Sequence, residues 1–176
     1  MPSGSDGADA PVLACIALGA NLGDRAATLR AAIDRIARLD GIELVARSAF
    51  YDTAPVGPPG QPRYLNAAIV VRTARTARDL LALLLSVERD LGRERDGTRW
   101  SARTIDLDVI LHGRTVIREG GPHGVEVPHP RFRERAFVLV PLAEIAPDAL
   151  DPVTGERVEC LLRACPGRAD VVRTDA

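Results

Sequence analysis

The sequence contains no lysine, and all of its 23 basic residues are arginine. A GxxxxGK[ST] phosphate-binding loop needs a lysine, so a P-loop kinase is excluded. A formal net charge of −1 argues against bulk nucleic-acid binding, and an aromatic content of 3% makes an RNA-binding sheet a poor candidate. No apolar run approaches the roughly eighteen residues of a membrane span. These absences leave an ordinary soluble globular protein as the broad class.

Cysteine is also scarce, since the chain has only Cys15, Cys160 and Cys165, without metal-ligand spacing. An odd number of unclustered cysteines indicates reduced thiols in a cytoplasmic protein. Residues 1–11 lack the basic and apolar regions of a targeting peptide and are predicted to be a disordered leader. The remaining residues, 12–176, are predicted to form one domain with a substantial core.

Apolar periodicity and turn residues predict a mixed fold. The predicted strands are 12–18, 42–51, 64–73 and 104–111, with brief strands at 113–117 and near Val125. The predicted helices are 24–39, 77–91, one from about Glu134 to 147, and 158–164. Residues 52–63 contain four prolines and are predicted to lack regular structure. The order strand, helix, strand, strand, helix, strand predicts an α+β fold of ferredoxin-like type, mainly antiparallel with helices packed on the sheet.

Two aspartates stand side by side in the strand pattern of residues 104–111. Strand alternation places Asp106 and Asp108 on one face, about 7 Å apart. The opposite, core face is predicted to carry Ile105, Leu107, Val109 and Leu111. Two carboxylates this close repel each other unless a cation lies between them. Mg²⁺ takes a few carboxylate oxygens together with substrate phosphates, so the pair is a candidate magnesium site, with a solvated strand face as the alternative.

Arginines flank this strand on both sides. The residues concerned are Arg93, Arg95, Arg99 and Arg103 before it, and Arg131, Arg133 and Arg135 after His129. The planar guanidinium group binds phosphate well, and arginine beside carboxylate-held magnesium is typical of sites for polyphosphates. Surface ion pairs with Glu94 and Asp96 are the alternative explanation for the first group.

A proline-rich stretch, YDTAPVGPPGQPRYLN, precedes and enters the third predicted strand. Prolines stiffen the backbone, so its polar groups would point in fixed directions. Tyr64 and Asn66 follow at strand spacing on one face and offer an aromatic ring beside an amide. This pair suits a flat heterocycle with a hydrogen-bonding edge, and a packed tyrosine with a structural asparagine is the alternative.

Four segments in this order resemble the 6-hydroxymethyl-7,8-dihydropterin pyrophosphokinase family. They are ALGANLGDR at 17–25, FYDTAPVGPPGQPRYLNAA at 50–68, LGRERDGTRWSARTIDLDVIL at 91–111 and VPHPRFRERAFVLVPLAEIAP at 127–147. The resemblance spans roughly residues 12 to 165. It implies transfer of pyrophosphate from ATP to 6-hydroxymethyl-7,8-dihydropterin, with release of AMP, in folate biosynthesis.

The resemblance also implies roles for individual residues. Asp106 and Asp108 would hold two Mg²⁺ ions on the ATP phosphates, and Arg93 and Arg103 would be catalytic. The implied pterin pocket comprises Thr53, Ala54, Pro55, Val56, Tyr64, Asn66, Trp100 and Phe137. The implied ATP contacts are Glu88, Arg95, Arg103, Val109, His129 and Arg135. The expected partners are ATP and the pterin alone, with no nucleic acid and no membrane, and the protein is expected to be a monomer.

Two rival functions use the same fold. A palm-type metal-dependent phosphoryl or nucleotidyl transferase would need further carboxylates on a neighbouring strand, where only Glu43 and Asp52 are available near strand ends. A small-molecule regulatory module would not need an Asp-Leu-Asp sequence flanked by arginines. Binding of magnesium-ATP and of a pterin distinguishes all three.

Overall fold

The computed structural model describes residues 10–55, 60–93, 104–119 and 124–174. The strands are β1 (Val12–Ala20), β2 (Ile42–Arg47), β3 (Phe50–Thr53), β4 (Tyr64–Thr73), β5 (Asp106–His112), β6 (Ile117–Arg118), β7 (Glu126–Val127) and β8 (Val171–Thr174). The helices are α1 (Arg25–Ala37), α2 (Ala77–Asp90), α3 (Ala136–Ile145) and α4 (Val158–Ala164), with 3₁₀ turns at Phe132–Glu134 and Arg168–Asp170. Most of the predicted leader lies outside the described residues.

One main sheet organises the chain, with strand order β5-β1-β4-β3-β8 and with β2 also paired to β4. The described pairings are all antiparallel. The succession β1, α1, β2 with β3, β4, α2 and β5 is the predicted order of elements. The prediction of an α+β fold with a mainly antiparallel sheet is therefore confirmed.

The predicted strand 42–51 is split into β2 and β3 at Ser48 and Ala49. Ser48 Oγ accepts a hydrogen bond from the Ala68 N–H at 2.9 Å, and the Ala49 N–H donates to Glu144 Oε2 at 2.9 Å. Side-chain hydrogen bonds thus satisfy backbone donors at the break between the two strands. β2 and β3 consequently pair with different halves of β4.

Helices cover both faces of the sheet. On one face α1 and α2 contribute Leu29, Ile33, Ile36, Leu80 and Leu84 to a core that also contains Ile16, Leu18, Ile69, Leu107 and Val109. On the other face α3 and α4 pack through Leu139, Leu142, Val158 and Leu161 against Cys15, Ala68 and Val70. Alternate residues of the central strands therefore enter two separate cores, as the period of two requires.

The strand that carries the aspartates follows the predicted alternation only in its first part. Ile105, Leu107 and Val109 are buried beneath α1 and α2, as expected. Leu111 instead joins Ile110 in the second core, so its predicted position is wrong. The register with β1 shifts between Cys15 and Ile16, and the extra residue of this bulge turns Leu111 to the other face.

Both long helices begin at side-chain caps. Asp24 accepts a hydrogen bond from the Ala27 N–H at 3.0 Å before α1, and Thr76 accepts one from the Asp79 N–H at 3.1 Å before α2. Such caps satisfy backbone donors that have no partner within the helix. No helix within the described ranges combines the length and the apolar character that crossing a membrane requires.

Candidate functional site

A cavity of about 740 Å³ opens between the sheet and the beginning of α3. Residues from β1, β3, β4, β5 and α3 line it together with part of the chain after α4. The sequence-predicted site residues on its wall are Thr53, Ala54, Pro55, Tyr64, Asn66, Asp106, Asp108, Arg135 and Phe137. Residues more than 80 positions apart in the sequence, such as Thr53 and Phe137, thus line the same cavity.

Strand register places the polar side chains of the cavity on one face. Gly19 of β1 lies opposite Asp106 on one side and opposite Asn66 on the other, and Ala17 lies opposite Asp108. Directly opposed residues of antiparallel strands share a face. The side chains of Asp106, Asp108 and Asn66 therefore point into the same cavity. Ala17 and Gly19 form the floor of the cavity between the carboxylates and the amide.

Gly19 has a specific reason to lack a side chain. A Cβ atom at this position would lie 3.0 Å from Asn66 Oδ1, which is closer than ordinary van der Waals contact. Gly19 lies inside β1. The turn before α1 contains Gly23, which adopts a positive φ of 61°.

Asn66 is held in a fixed orientation. Its side chain is buried, and Nδ2 donates to Thr53 Oγ1 at 2.7 Å. Thr53 lies opposite Tyr64 in the pairing of β3 with β4. An oriented amide, a hydroxyl and an aromatic ring thus occupy one end of the cavity, a combination that suits the edge and face of a planar heterocycle.

Two arginines connect the two ends of the proline-rich stretch. Arg25 Nη1 donates to Asp52 Oδ2 at 3.0 Å and to the Arg63 carbonyl oxygen at 2.9 Å, and Arg63 Nε also pairs with Asp52. These bonds join the residue before Thr53 to the residue before Tyr64. They fix the two strand ends that form the heterocycle end of the cavity.

The carboxylates occupy the opposite end. Arg93 Nη1 donates to Asp106 Oδ1 at 2.7 Å, while Asp108 Oδ2 lies 3.9 Å from His129 Nε2. Burial, reinforced by the charge of Asp106, raises the pKa of Asp108 to about 7. Burial and the charge of Arg135 lower the pKa of His129 to about 4, so this imidazole is neutral at pH 7 and forms no ion pair with Asp108. The carboxylate end of the cavity therefore favours the binding of an additional positive charge.

Glu88, predicted as an ATP contact, is 2% exposed and is not among the described residues on the cavity wall. Its Oε1 atom accepts a hydrogen bond from the Leu107 N–H at 2.7 Å and another from Arg93. Glu88 thus links the end of α2 to β5 between the two aspartates. These contacts indicate a positioning role behind Asp106, which the sequence did not suggest.

Val109, also predicted as an ATP contact, has its side chain in the core beneath α2. This is the face of β5 opposite Asp108. A contact with the nucleotide would therefore involve the backbone of Val109 at the outer edge of β5. The side chain has a structural role in packing.

The arginines after His129 divide into two groups. Arg131 and Arg135 line the cavity, whereas Arg133 turns away and pairs with Asp151 through bonds of 2.6 and 2.8 Å. Asp151 is fully buried and also accepts the Val153 N–H at 3.0 Å. Arg133 therefore does not make the expected contribution to phosphate binding. Its pair with Asp151 instead anchors the segment that follows His129.

Four predicted site residues lie outside the described part of the chain. They are Val56 in the proline-rich stretch, and Arg95, Trp100 and Arg103 before β5. Their assigned roles stay predictions.

The pKa of Asp108 leads to a prediction for the metal-free protein. From about pH 4 to about pH 7 the folded chain keeps a proton that the unfolded chain has lost, so this group makes the free energy of unfolding fall as pH rises. Asp108→Asn is expected to be more stable than the wild type at pH 8 by a larger margin than at pH 4. Urea unfolding in a chelator at both pH values measures this, with the 79% exposed Asp148 changed to Asn as the control.

Equal stability differences between Asp108→Asn and the wild type at both pH values would contradict the raised pKa. The control variant should show no comparable change with pH, because its carboxylate is largely in water.

Comparison with known protein families shows which family the chain belongs to. Residues 15–147 match the model of the family described as 7,8-dihydro-6-hydroxymethylpterin-pyrophosphokinase (HPPK). The chain belongs to this family. The matched range contains most of β1 and all of the elements from α1 to α3, and it therefore includes both aspartates and both strands of the heterocycle end.

Several curated relatives in the family are similar over most of their length. The chain is 45% identical over 154 residues to a protein of Methylorubrum extorquens, covering 87% of this chain and 94% of the relative. It is 41% identical over 151 residues to a protein of Pseudomonas aeruginosa, covering 86% and 90% of the two chains. Both relatives are named 2-amino-4-hydroxy-6-hydroxymethyldihydropteridine pyrophosphokinase.

Solved structures of family members share the fold. The structure of wild-type Plasmodium falciparum HPPK-DHPS matches with a TM-score of 0.68 at 13% identity, over 91% of this chain and 42% of that one. A structure of HPPK-DHPS in complex with substrates matches with a TM-score of 0.69 at 12% identity, over 88% and 43%. The chain thus spans less than half of these larger proteins, and the likeness confirms the predicted ferredoxin-like fold.

Sequence reasoning missed part of the cavity wall in this member of the family. Glu134, Pro166, Gly167, Asp170 and Val171 line the cavity without having been predicted. The tail was expected to hold only loop and one short helix, yet β8 forms there and pairs with β3. A four-residue strand at the edge of a sheet carries too weak a local pattern to be recognised before its partner is known.

Proposed function

We propose that this protein transfers the pyrophosphate group of ATP to 6-hydroxymethyl-7,8-dihydropterin, releasing AMP, as a step of folate biosynthesis. The observation that carries the proposal is one cavity with a carboxylate pair at one end and a heterocycle-binding set at the other. A transferase with two substrates needs both ends in the same space, because the reacting atoms must be brought together.

The heterocycle end is proposed to bind the pterin. Asn66 and Thr53 would hydrogen-bond the edge of the ring system, and Tyr64 and Phe137 would contact its faces. Ala54 and Pro55 complete this end of the wall. Val56 and Trp100 are proposed to belong to the same pocket from the family resemblance.

The carboxylate end is proposed to hold the triphosphate with Mg²⁺. Asp106 and Asp108 would be the protein ligands of two Mg²⁺ ions, which supply charge neutralisation of the phosphates. No group of three or more His, Cys, Asp or Glu side chains suited to a metal is found in the described ranges. Two carboxylates completed by phosphate oxygens are the arrangement that magnesium favours, so the donor set fits.

Arginines would surround the phosphates and neutralise the charge that remains. Arg131 and Arg135 line this part of the cavity, and Arg93 contacts Asp106 at its base. The other proposed nucleotide contacts are Arg95, Arg103, His129 and the backbone of Val109. Glu88, which resembles a nucleotide contact of the family, is proposed to act indirectly by positioning Arg93. Arg93 and Arg103 are proposed to stabilise the transition state as catalytic residues.

In the proposed reaction, the hydroxymethyl oxygen forms a bond to the β-phosphorus of ATP, and the hydroxyl proton is released to solvent. The bond from this phosphorus to the oxygen bridging the α-phosphate breaks, and AMP leaves with that oxygen. The protein contributes orientation of the two substrates within one cavity. AMP release from ATP, dependent on added 6-hydroxymethyl-7,8-dihydropterin, tests the proposal. AMP release that does not depend on the pterin would contradict it.

A palm-type transferase fits the described residues less well. Glu43 pairs with Arg72 at 2.7 Å, and Asp52 is held by Arg25 and Arg63, so neither carboxylate joins the aspartate pair. The strand beside β5 presents Ala17 and Gly19 towards the cavity instead. A shared carboxylate site on two strands is therefore not formed by these residues.

We further propose a cytoplasmic monomer with one domain over residues 12–176. Strands from both ends of this range, β1 and β8, lie in one sheet, which supports a single domain. Cys15 and Cys165 are buried free thiols, which supports a reducing compartment. Light scattering of the purified protein measures the oligomeric state, and a dimeric mass would contradict the monomer.

Replacing Asn66 by alanine tests the pterin end. The variant is expected to bind the pterin about ten- to a hundredfold more weakly, because a buried hydrogen-bonding amide is lost. The affinity for magnesium-ATP should stay nearly unchanged, since Asn66 is separated from the aspartates by the floor of β1. Calorimetric titration with each ligand measures both values, and equal losses for both would indicate a folding role for Asn66.

A further inference from the structure

The chain after α4 forms part of the cavity wall. Pro166, Gly167, Asp170 and Val171 line the same space as the predicted pterin residues. These positions follow the range 15–147 that matches the family. Their contribution to the site is therefore visible only in the folded structure.

Strand register locates Val171 within the cavity. Val171 lies opposite Thr53 in the pairing of β8 with β3, and Thr53 lies opposite Tyr64 in the pairing of β3 with β4. Directly opposed residues share a face of an antiparallel sheet, so Val171 points to the same side as these two. Val172 points to the other side and is 54% exposed.

The position of β8 in the sheet decides which substrate Val171 would meet. β8 and β5 lie at opposite ends of the order β5-β1-β4-β3-β8. Four strand spacings separate them, or about 19 Å. Val171 therefore lies at the heterocycle end of the cavity and far from the aspartates that would bind magnesium and phosphate.

Packing holds this part of the wall in place. Val171 and Phe137 are both partly buried side chains that pack against the core beneath α3 and α4. The 3₁₀ turn Arg168–Asp170 leads directly into β8, and the α3 helix contacts both of them. The wall at Val171 is thus supported by a helix and by a strand, in contrast to a loop that could move aside.

We infer that Val171 is a specificity-determining residue that bounds the outer edge of the heterocycle subsite and limits the size of the flat bicyclic ring system it accepts. This inference rests on the proposed function, because it takes the pterin as the occupant of that end. The valine side chain is large enough to contact a ring edge. Its branching at Cβ restricts rotation, so it forms a firm boundary.

The test compares matched substitutions at Val171 and Val172. Val171→Phe is expected to weaken binding of 6-hydroxymethyl-7,8-dihydropterin about tenfold or more, because the ring would project into the subsite. Val171→Ala should weaken it severalfold and should improve the relative affinity for an analogue with a bulkier ring substituent. Val172→Phe and Val172→Ala should leave all these affinities unchanged. Titrations are made with a non-hydrolysable ATP analogue present, so that the order of binding does not affect them.

The affinity for the ATP analogue and the melting temperature report the integrity of each variant. If Val171→Phe unfolds, the comparison of Val171→Ala with Val172→Ala decides. Equal pterin affinities for the Val171 and Val172 variants would overturn the inference while leaving the proposed function intact. Failure of the wild type to bind the pterin would overturn the proposed function itself.

Discussion

Replacing Asp106 or Asp108 by alanine is expected to lower turnover by about a hundredfold or more, because either change removes a proposed ligand of the ions that neutralise the triphosphate. Both side chains project into the cavity, so the fold should survive both changes. Turnover is measured as AMP release at saturating magnesium-ATP and pterin. Asp148→Ala is a suitable control, because Asp148 is exposed and distant in sequence.

The two aspartate variants should differ in stability when metal is absent. Asp108→Ala should not destabilise the protein, since it removes a carboxylate that is repelled by Asp106. Asp106→Ala should be less stable, because it also removes the hydrogen bond from Arg93. Relief of the repulsion between the carboxylates is therefore expected to stabilise the metal-free protein only when Asp108 is replaced. Near-normal turnover in Asp108→Ala would contradict its assignment as a metal ligand.

Replacing Arg93 by alanine is expected to reduce both stability and the rate of the chemical step. The Arg93 side chain is 10% exposed and contacts the carboxylates of Glu88 and Asp106. Its removal takes the cation away from a buried carboxylate, which is expected to cost about 3 kcal/mol of unfolding free energy. The single-turnover rate should fall about a hundredfold, with a smaller loss of ATP affinity, if Arg93 acts mainly in the transition state.

A double variant separates these two effects. Glu88→Gln removes the buried charge that Arg93 compensates, so Arg93→Ala with Glu88→Gln should recover much of the lost stability. The rate should not recover, because the guanidinium group is still missing. Recovery of the rate as well would show that Arg93 acts only through Glu88. A loss of ATP affinity with an unchanged chemical step would instead show that Arg93 is a simple binding residue.

Local pattern was sufficient for most of the elements. The apolar stripes of α1 and α2 and the alternation around Asp106 and Asp108 are repeats that neighbouring residues specify among themselves. The division of β2 from β3 depends on Glu144, which lies far along the chain and contacts the Ala49 N–H. The strand β8 likewise depends on β3, with Val171 opposite Thr53. Such long-range partners could not be derived from the sequence alone.

The same limit applies to the candidate site. The aspartate pair and the Tyr64–Asn66 pair follow from spacing within a single strand. The partners of Arg93 and Arg133 do not, because an arginine side chain can reach several acidic residues and tertiary packing selects among them. The resemblance assigned Glu88 to the nucleotide, whereas the structure places it against Arg93 and the Leu107 N–H. The sequence thus identifies the residue types of the site better than it identifies the hydrogen bonds and ion pairs between them.

The floor of the cavity belongs to a strand with neighbours on both sides. Residues 14–19 of β1 pair with β4 and with β5, and helices cover both faces of the sheet. Backbone amides in such a position exchange with solvent hydrogen only when a large part of the protein opens. Ala17 and Gly19 therefore provide a surface that does not adapt to its ligand. A ligand that needs more space above Gly19 could be accepted only if the surrounding walls of the cavity move. The floor itself could move only if β1 separated from its neighbouring strands.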